Sequence, residues 1–400
     1  MVKNTGDQYL VKKINKSIVL DLIRSKSPLS RAQISEVSGL NKGTVSSLVN
    51  ELMEEKLVYE IGLGKSSGGR RPIMLLFNQS AGFAVGVDLG VNYILTVLTD
   101  LNGTVVQEEF IPYSNLSFQE ILILLKSSIT KIIEHAPNSP YGIIGIGVGV
   151  PGIVDEKGII LFAPNLNWKE TDLKSILYEE FHVPVTIDNE ANTGALGEKR
   201  YGAGQDISNL IYVSIGIGIG VGIILNNELF RGTSGYSGEI GHSVIEMNGR
   251  KCSCGNRGCW EMYASEQALL EEAKRLNLSK LDLETVVQAA DQGSPEAITL
   301  FSEIGEYIGV GIANIMNTFN PDLILIGNRM TMAEKWISNP MRRVVESRAL
   351  PYHRKDAQIR FSSLSIYSAV RGAASLAINE FFSQSQSNVS IGLNFLSSQT

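Results

Sequence analysis

Only three of the 400 residues are cysteine. An odd count leaves one thiol over, which argues against a scaffold stapled by disulfides. Met1 is followed by a polar stretch that includes Lys3, with no apolar leader behind it, so no secretory signal is expected. Nor is there a run of the about 20 apolar residues that a membrane helix requires. The longest candidate, Leu210 to Leu225, is broken by Ser214 and four glycines and reads as buried strand and turn. Charged residues make up 19% and hydrophobic residues 44%, the balance of an ordinary globular protein. These absences argue against the secreted and membrane classes. The expectation is a cytoplasmic protein of two to three domains, with no membrane partner.

The few cysteines are gathered in one place. Cys252, Cys254 and Cys259 lie within eight residues, and His242 stands ten residues upstream of the first. Three thiols and an imidazole are the donor set of a closed tetrahedral zinc site, so structural zinc on His242, Cys252, Cys254 and Cys259 is expected. The competing reading is a chance cluster with Cys259 buried. Glu239 precedes the histidine by three residues, and Glu261 follows the last cysteine by two. A metal here would fix both carboxylates, ready to accept hydrogen bonds from a polyhydroxy ligand.

Net charge is −6, unevenly spread: residues 1–80 carry 12 Lys/Arg against 7 Asp/Glu, the remainder 23 against 34. A basic head on an acidic body suggests that the head meets a polyanion. Within it, Val11, Ile14, Ile18 and Leu22 share one helical face, and Ser27-Pro28 ends that helix. Ser30 caps a second helix from Arg31 to Ser38, which Gly39 terminates, and Asn41 caps a third. On the third helix Val45, Leu48, Val49 and Leu52 point inward, while Lys42, Thr44, Ser46, Ser47 and Asn50 face out. That pattern is a helix-turn-helix with the third helix reading the major groove of double-stranded operator DNA. Strands at 57–61 and 73–77 flank a loop that holds Lys65, Arg70 and Arg71, suited to a wing along phosphates. Arg31, Arg70 and Arg71 complete the expected DNA contacts. A small helical module that docks protein is the alternative.

From Phe83 onward strands and helices alternate, which points to an α/β body of two lobes around a cleft. Val87-Asp88-Leu89-Gly90, Gly147 to Gly152, Asn189 to Glu198, Gly216 to Gly222, Glu239 to His242 and the cysteine cluster occur in this order. The series resembles the ROK family of repressors and sugar kinases, over nearly the whole chain. The resemblance implies a winged helix-turn-helix (residues 1–80) followed by a two-lobed actin-like, ribonuclease-H-like body (81–382). Residues 383–400, rich in Ser, Gln and Asn, are expected to form a mobile tail.

The kinase pattern is broken in several places. Where family kinases have Asp-x-Gly-Gly-Thr, this chain has Asp88-Leu89-Gly90-Val91-Asn92, and a valine obstructs the backbone approach that glycine permits. The hydroxyl of the second loop has become Ile217, and the adenosine-side Gly-Gly has become Gly327-Asn328. The family's catalytic Asp is Glu190, whose extra methylene moves the carboxylate by about 1.5 Å; misplacement of that size can cost about a hundredfold in rate. No catalytic residue is therefore expected, and no enzymatic activity; the expectation is a sugar-responsive repressor of xylose-utilisation genes, and a ROK sugar kinase with an attached DNA-binding domain is the alternative. The sugar positions persist: by resemblance Asn189, Glu190, Glu239, His242 and Glu261 contact a small sugar inducer, with xylose expected. Asn165 and Trp168 are candidates for the same cleft. Asn189 can also serve as a helix cap, and His242 as a zinc ligand alone. A homodimer is expected, since paired half-sites require paired heads. The small residues Gly305, Gly309, Gly311 and Ala313 fit a dimer surface or interior packing equally well.

Overall fold

A computed structural model of the protein describes residues 8–63, 71–276 and 278–385. The head comprises α1 (Gln8–Lys26), β1 (Leu29–Ser30), α2 (Arg31–Ser38), α3 (Lys42–Glu54), β2 (Val58–Leu63) and β3 (Ile73–Phe77), with sheet order β1-β3-β2. Its boundaries are set locally. Ser30 and Gln33 exchange side-chain and backbone hydrogen bonds as a capping box, and Gly39 ends α2 at φ 71°, where absence of a Cβ is favoured. The Asn41 Oδ1 accepts from the Thr44 amide at 2.8 Å. Val45, Leu48, Val49 and Leu52 are buried.

The apolar face of α1 departs from expectation. Val11, Ile14 and Ile18 are exposed, and Val19 and Ile23 are buried instead. The helix meets α2, α3 and β3, and no residue from Leu10 to Ile18 is buried, so those partners cover only its second half. Spacing on a helix defines a stripe, but which part of it is covered depends on where the neighbours end.

The first lobe contains β4 (Phe83–Leu89), β5 (Tyr93–Asp100), β6 (Val105–Pro112), α4 (Phe118–Glu134), β7 (Ile143–Val150), β8 (Ile153–Val154), β9 (Ile160–Ala163), β10 (Trp168–Thr171), α5 (Leu173–Phe181), β11 (Val185–Asn189) and α6 (Glu190–Tyr201). Its main sheet runs β11-β7-β4-β5-β6. The parallel pair β4 and β7 is apolar and buried along nearly its whole length, whereas the edge strand β6 alternates, as central and edge strands should. Strands β8 to β10 form a separate small sheet. They are two to four residues long, too short to show a period of two in the sequence.

The second lobe contains β12 (Leu210–Ile215), β13 (Ile219–Leu225), β14 (Glu228–Leu229), α7 (Glu261–Ala264), α8 (Glu266–Ala273), α9 (Leu283–Asp291), α10 (Pro295–Phe319), β15 (Leu323–Gly327), α11 (Glu334–Arg348), α12 (Pro351–Asp356) and β16 (Gln358–Phe361). Its sheet order is β14-β13-β12-β15-β16. The small residues of α10 serve the interior: a Cβ on Gly309 would lie 2.6 Å from the Met341 carbonyl oxygen of α11, and one on Gly311 2.0 Å from the Trp260 ring. No helix among the described residues is long and apolar enough to cross a membrane.

The last helix, α13 (Tyr367–Ser385), returns to the first lobe and packs on β4, β7 and α6. It begins the expected tail as ordered helix through Ser385; residues 386–400 lie outside the described residues. A Cβ on Gly147 would fall 1.9 Å from the Ala373 carbonyl oxygen, and one on Gly372 1.7 Å from that of Thr193. Helix, sheet and α6 are thus in backbone contact. Gly147→Ala should lower unfolding stability by about 1–3 kcal/mol, the range for overpacking a filled core. The urea midpoint measures it, and an unchanged midpoint would show that α13 can shift freely.

Candidate functional site

A cavity of about 350 Å³ opens between the lobes. Asn189, Glu190, Glu239, His242 and Glu261 all line it, with Asn165 at its rim. Trp168 does not: it is buried in the first-lobe core against Phe118, ring centroids 5.0 Å apart.

The start of α6 sets the floor. Asn189 is its N-cap, with Oδ1 accepting from the Ala191 amide at 2.7 Å and Nδ2 donating to the Gly152 carbonyl at 2.8 Å. Capping is therefore one of its roles, and it presents a fixed amide to the cavity. The Glu190 Oε1 accepts from the Ser214 hydroxyl at 3.3 Å, and Asn328 donates to that hydroxyl at 3.0 Å. Beneath lies Asp88, buried, its Oδ2 accepting from the Tyr93 hydroxyl at 2.6 Å. Burial first, then the neighbouring Glu190, pushes Asp88 up to about 8 against the opposing Tyr93 bond. Burial likewise pushes Glu190 up to about 6, against Ser214. Asp188, the residue before the cap, is buried and pairs with Arg231 of the other lobe at 2.6 Å. No spacing rule points to Ser214 beside Glu190 or to Arg231 beside Asp188, because those partners meet only through the tertiary path; Tyr93 lies five residues from Asp88, across the turn between β4 and β5.

The opposite wall carries the cysteine cluster. The donor atoms of His242, Cys252, Cys254 and Cys259 all lie within 4.8 Å of one another. The Cys252 Sγ is 3.6 Å from the His242 Nδ1, and the Cys254 and Cys259 sulfurs are 3.8 Å apart. That S–S separation is far beyond a disulfide bond. Tetrahedral zinc with Zn–S of about 2.3 Å and Zn–N of about 2.0–2.1 Å demands edges of roughly 3.6–3.8 Å; these two separations match, and three thiols with an imidazole are the donor set such an ion takes, with the widest donors, up to 4.8 Å apart, closing by about 1 Å on binding. The loop itself is shaped for this: Gly258 sits at φ 76°, and a Cβ there would lie 1.7 Å from the Glu246 carbonyl oxygen. The other ring nitrogen of His242, Nε2, faces Glu239 at 3.7 Å, and the Glu261 Oε1 is 3.4 Å from Nδ1. Both glutamates therefore stand beside the cluster and face the cavity.

On the head, Lys42, Ser47 and Asn50 are exposed along α3, with Thr44 and Ser46 partly so. The Ser46 hydroxyl is turned back onto the Lys42 carbonyl at 2.8 Å. Arg31 pairs with Glu60 at 2.8 Å and donates to the Asn50 Oδ1 at 3.2 Å, so both side chains would have to exchange partners to read a base. Arg71 is exposed; Arg70 lies outside the described residues.

A model of the ROK family matches residues 84–380. The xylose repressor of Bacillus subtilis is 48% identical over 378 residues, spanning 94% of this chain and 98% of that protein. The chain belongs to the ROK family. Among solved structures, a ROK family transcriptional regulator, a homolog of the E. coli MLC protein, superposes with a TM-score of 0.79 at 28% identity, covering 94% of this chain and 99% of that one. A ROK family glucokinase from Streptomyces griseus, solved with glucose and AMPPNP, superposes with a TM-score of 0.69 at 29% identity, over 74% of this chain and all of the kinase.

The raised Asp88 has a measurable consequence. A carboxyl whose folded value lies above its unfolded one holds its proton in the native state, so stability is lost as pH rises from about 4 to about 8. Asp88→Asn should remove that loss, raising the melting temperature at pH 8 relative to wild type and narrowing the difference near pH 4. A wild-type slope retained in the variant would place the responsible group elsewhere.

Proposed function

We propose that this chain is a sugar-responsive transcriptional repressor: its winged head holds operator DNA, and a sugar in the interlobe cavity releases it. The observation that carries this reading is the 48% identity to a protein named xylose repressor, which extends over 94% of the chain and so spans head and body alike. On the same basis xylose is the proposed inducer, the assembly a homodimer and the compartment the cytoplasm. Asn189, Glu190, Glu239, His242 and Glu261 are the proposed sugar contacts. His242 through Nδ1, with Cys252, Cys254 and Cys259, would hold structural zinc, which locks the loop carrying the two glutamates. Arg31, Lys42, Thr44, Ser46, Ser47, Asn50, Arg70 and Arg71 are the proposed DNA contacts. The protein is not a kinase in this reading, since Val91, Ile217 and Asn328 stand where family kinases keep glycines and a hydroxyl.

A sugar can shift the head only by binding one arrangement of the lobes more tightly than another. Asp188, Asn189 and Glu190 lead into α6, and from the second lobe Ser214 approaches Glu190 and Arg231 approaches Asp188. A ligand bridging Glu190 to Glu239 and Glu261 would thus bias the lobe angle. In a dimer, a small rotation is enough to lose half-sites spaced about 34 Å apart.

Glu239→Gln should bind operator as wild type does without sugar and fail to release it with sugar. Losing one charge-assisted hydrogen bond costs about 1.5–3 kcal/mol, roughly ten- to hundredfold in sugar affinity. An operator-shift titration with xylose reads this directly, and release at the wild-type concentration would put the ligand elsewhere. Metal analysis of purified protein should find about one zinc per chain; a metal-free protein of unchanged stability would end the zinc assignment.

A further inference from the structure

Two backbone loops face each other across one end of the cavity, Gly90 to Asn92 and Gly216 to Gly220. Loops of this kind cradle phosphate through backbone N–H groups when they are open to it. Here the first loop is held shut by two tyrosines that no family pattern pointed to. The Tyr93 ring lies so close over Gly90 that a Cβ on the glycine would fall 2.4 Å from it. Its hydroxyl donates to the buried Asp88 at 2.6 Å. On its far side the ring stacks on Phe110, centroids 5.5 Å apart. The Tyr113 hydroxyl donates to the Gly90 carbonyl at 2.5 Å. One tyrosine therefore occupies the carboxylate beneath the loop, and the other ties down the loop's own backbone.

Charge points the same way. Asp88, Glu190, Glu239 and Glu261 are all carboxyl groups in or under this cavity. The Arg329 guanidinium on its wall is already bonded to Glu266 at 2.9 Å and to Glu284 at 3.0 Å. Asp88, raised to about 8, adds no charge here, but a triphosphate entering this end would meet Glu239 and Glu261 while Arg329 is engaged elsewhere, and juxtaposed like charges are repelled. A neutral polyol meets the same groups as hydrogen-bond acceptors.

We propose that Tyr93 and Tyr113 seal the phosphate end of the cavity, so that it takes one neutral sugar and excludes nucleoside triphosphates. This rests on the sugar-binding reading above. It assigns the exclusion to the Tyr93 ring, beyond the altered glycines of the loops.

Full-length wild type, Tyr93→Ala and Tyr93→Phe are titrated with xylose and, separately, with Mg²⁺ and AMPPNP, read by calorimetry and thermal shift. Wild type and Tyr93→Phe should show no saturable AMPPNP binding up to about 1 mM, because both keep the ring. Tyr93→Ala should acquire it, with affinity at least about tenfold above the wild-type limit. Should Tyr93→Ala not melt cooperatively, Tyr93→Val opens the same end with a smaller void and carries the same expectation. AMPPNP binding to wild type, or none to a folded ring-less variant, overturns the proposal. Absence of any sugar binding to wild type instead refutes the sugar reading, and the nucleotide comparison still stands by itself.

Discussion

The backbone of α13 touches the backbones of β7 and α6 directly, and the arrangement of the molecule follows from that contact. Glycines stand at each crossing: Gly86 beneath Val370, Gly147 beneath Ala373, and Gly197 against Ser368. With no side chains between them, β4, β7, α6 and α13 cannot slide past one another without a clash, so the four act as one body. The far end of α13 then reaches the head. Phe382 lies 6.3 Å from Phe77 of β3, Phe381 lies 5.1 Å from Tyr141, and Arg24 of α1 sits 4.8 Å over the Phe382 ring. Ala374, Ala377 and Ile378 share a single apolar cluster with Val19, Ile23 and Phe77. The head therefore has no separate core. It is built onto the first lobe.

That construction gives the cavity a mechanical connection to the DNA-reading surface. Helix α6 starts at Asn189 and Glu190, on the cavity floor, and ends at Arg200 and Tyr201. Arg371 of α13 lies 4.5 Å over the Tyr201 ring. Arg24 completes the joint by donating to the Leu101 carbonyl at 2.6 Å, and burial followed by repulsion from Arg200 pushes its guanidinium down to about 10. A buried charge held by a carbonyl and an aromatic face has few alternative positions. In the proposed reading, a change in lobe angle at Glu190 would reach α1 through packed elements rather than a flexible linker. Allosteric coupling needs two sites and a shared element that both bias, and α6 with α13 would be that element.

Much of this was legible in the sequence, for identifiable reasons. Caps at Ser30, Gly39 and Asn41 are local chemistry, and they set both ends of α2 and the start of α3. The all-apolar run of β7 reads as a strand in the sequence, whereas β6, VVQEEFIP, alternates only in its burial and shows itself as an edge strand in the structure alone. The four metal donors are separated by few residues, so proximity in sequence becomes proximity in space. What stayed hidden depends on packing between distant segments. The exposed Val11, Ile14 and Ile18 have the spacing of a buried stripe, and only the extent of α3 and β3 shows that they are uncovered. Trp168 sits beside a cavity-facing Asn165 in sequence, yet its ring turns into the core against Phe118. Asp188 with Arg231 joins residues whose contact arises from the chain's path through space, while Tyr93 on Asp88 spans only the turn between β4 and β5, where side-chain direction rather than separation hides the contact.

The most direct test of the central claim lies at the joint, far from both ligands. Arg24→Met keeps an apolar stem on Phe382 and removes the bond to Leu101. Sugar affinity by calorimetry should be unchanged within roughly twofold, while the sugar concentration that frees half the operator rises at least about tenfold, a coupling loss of about 1.4 kcal/mol. Operator release at the wild-type sugar concentration would contradict transmission through this joint.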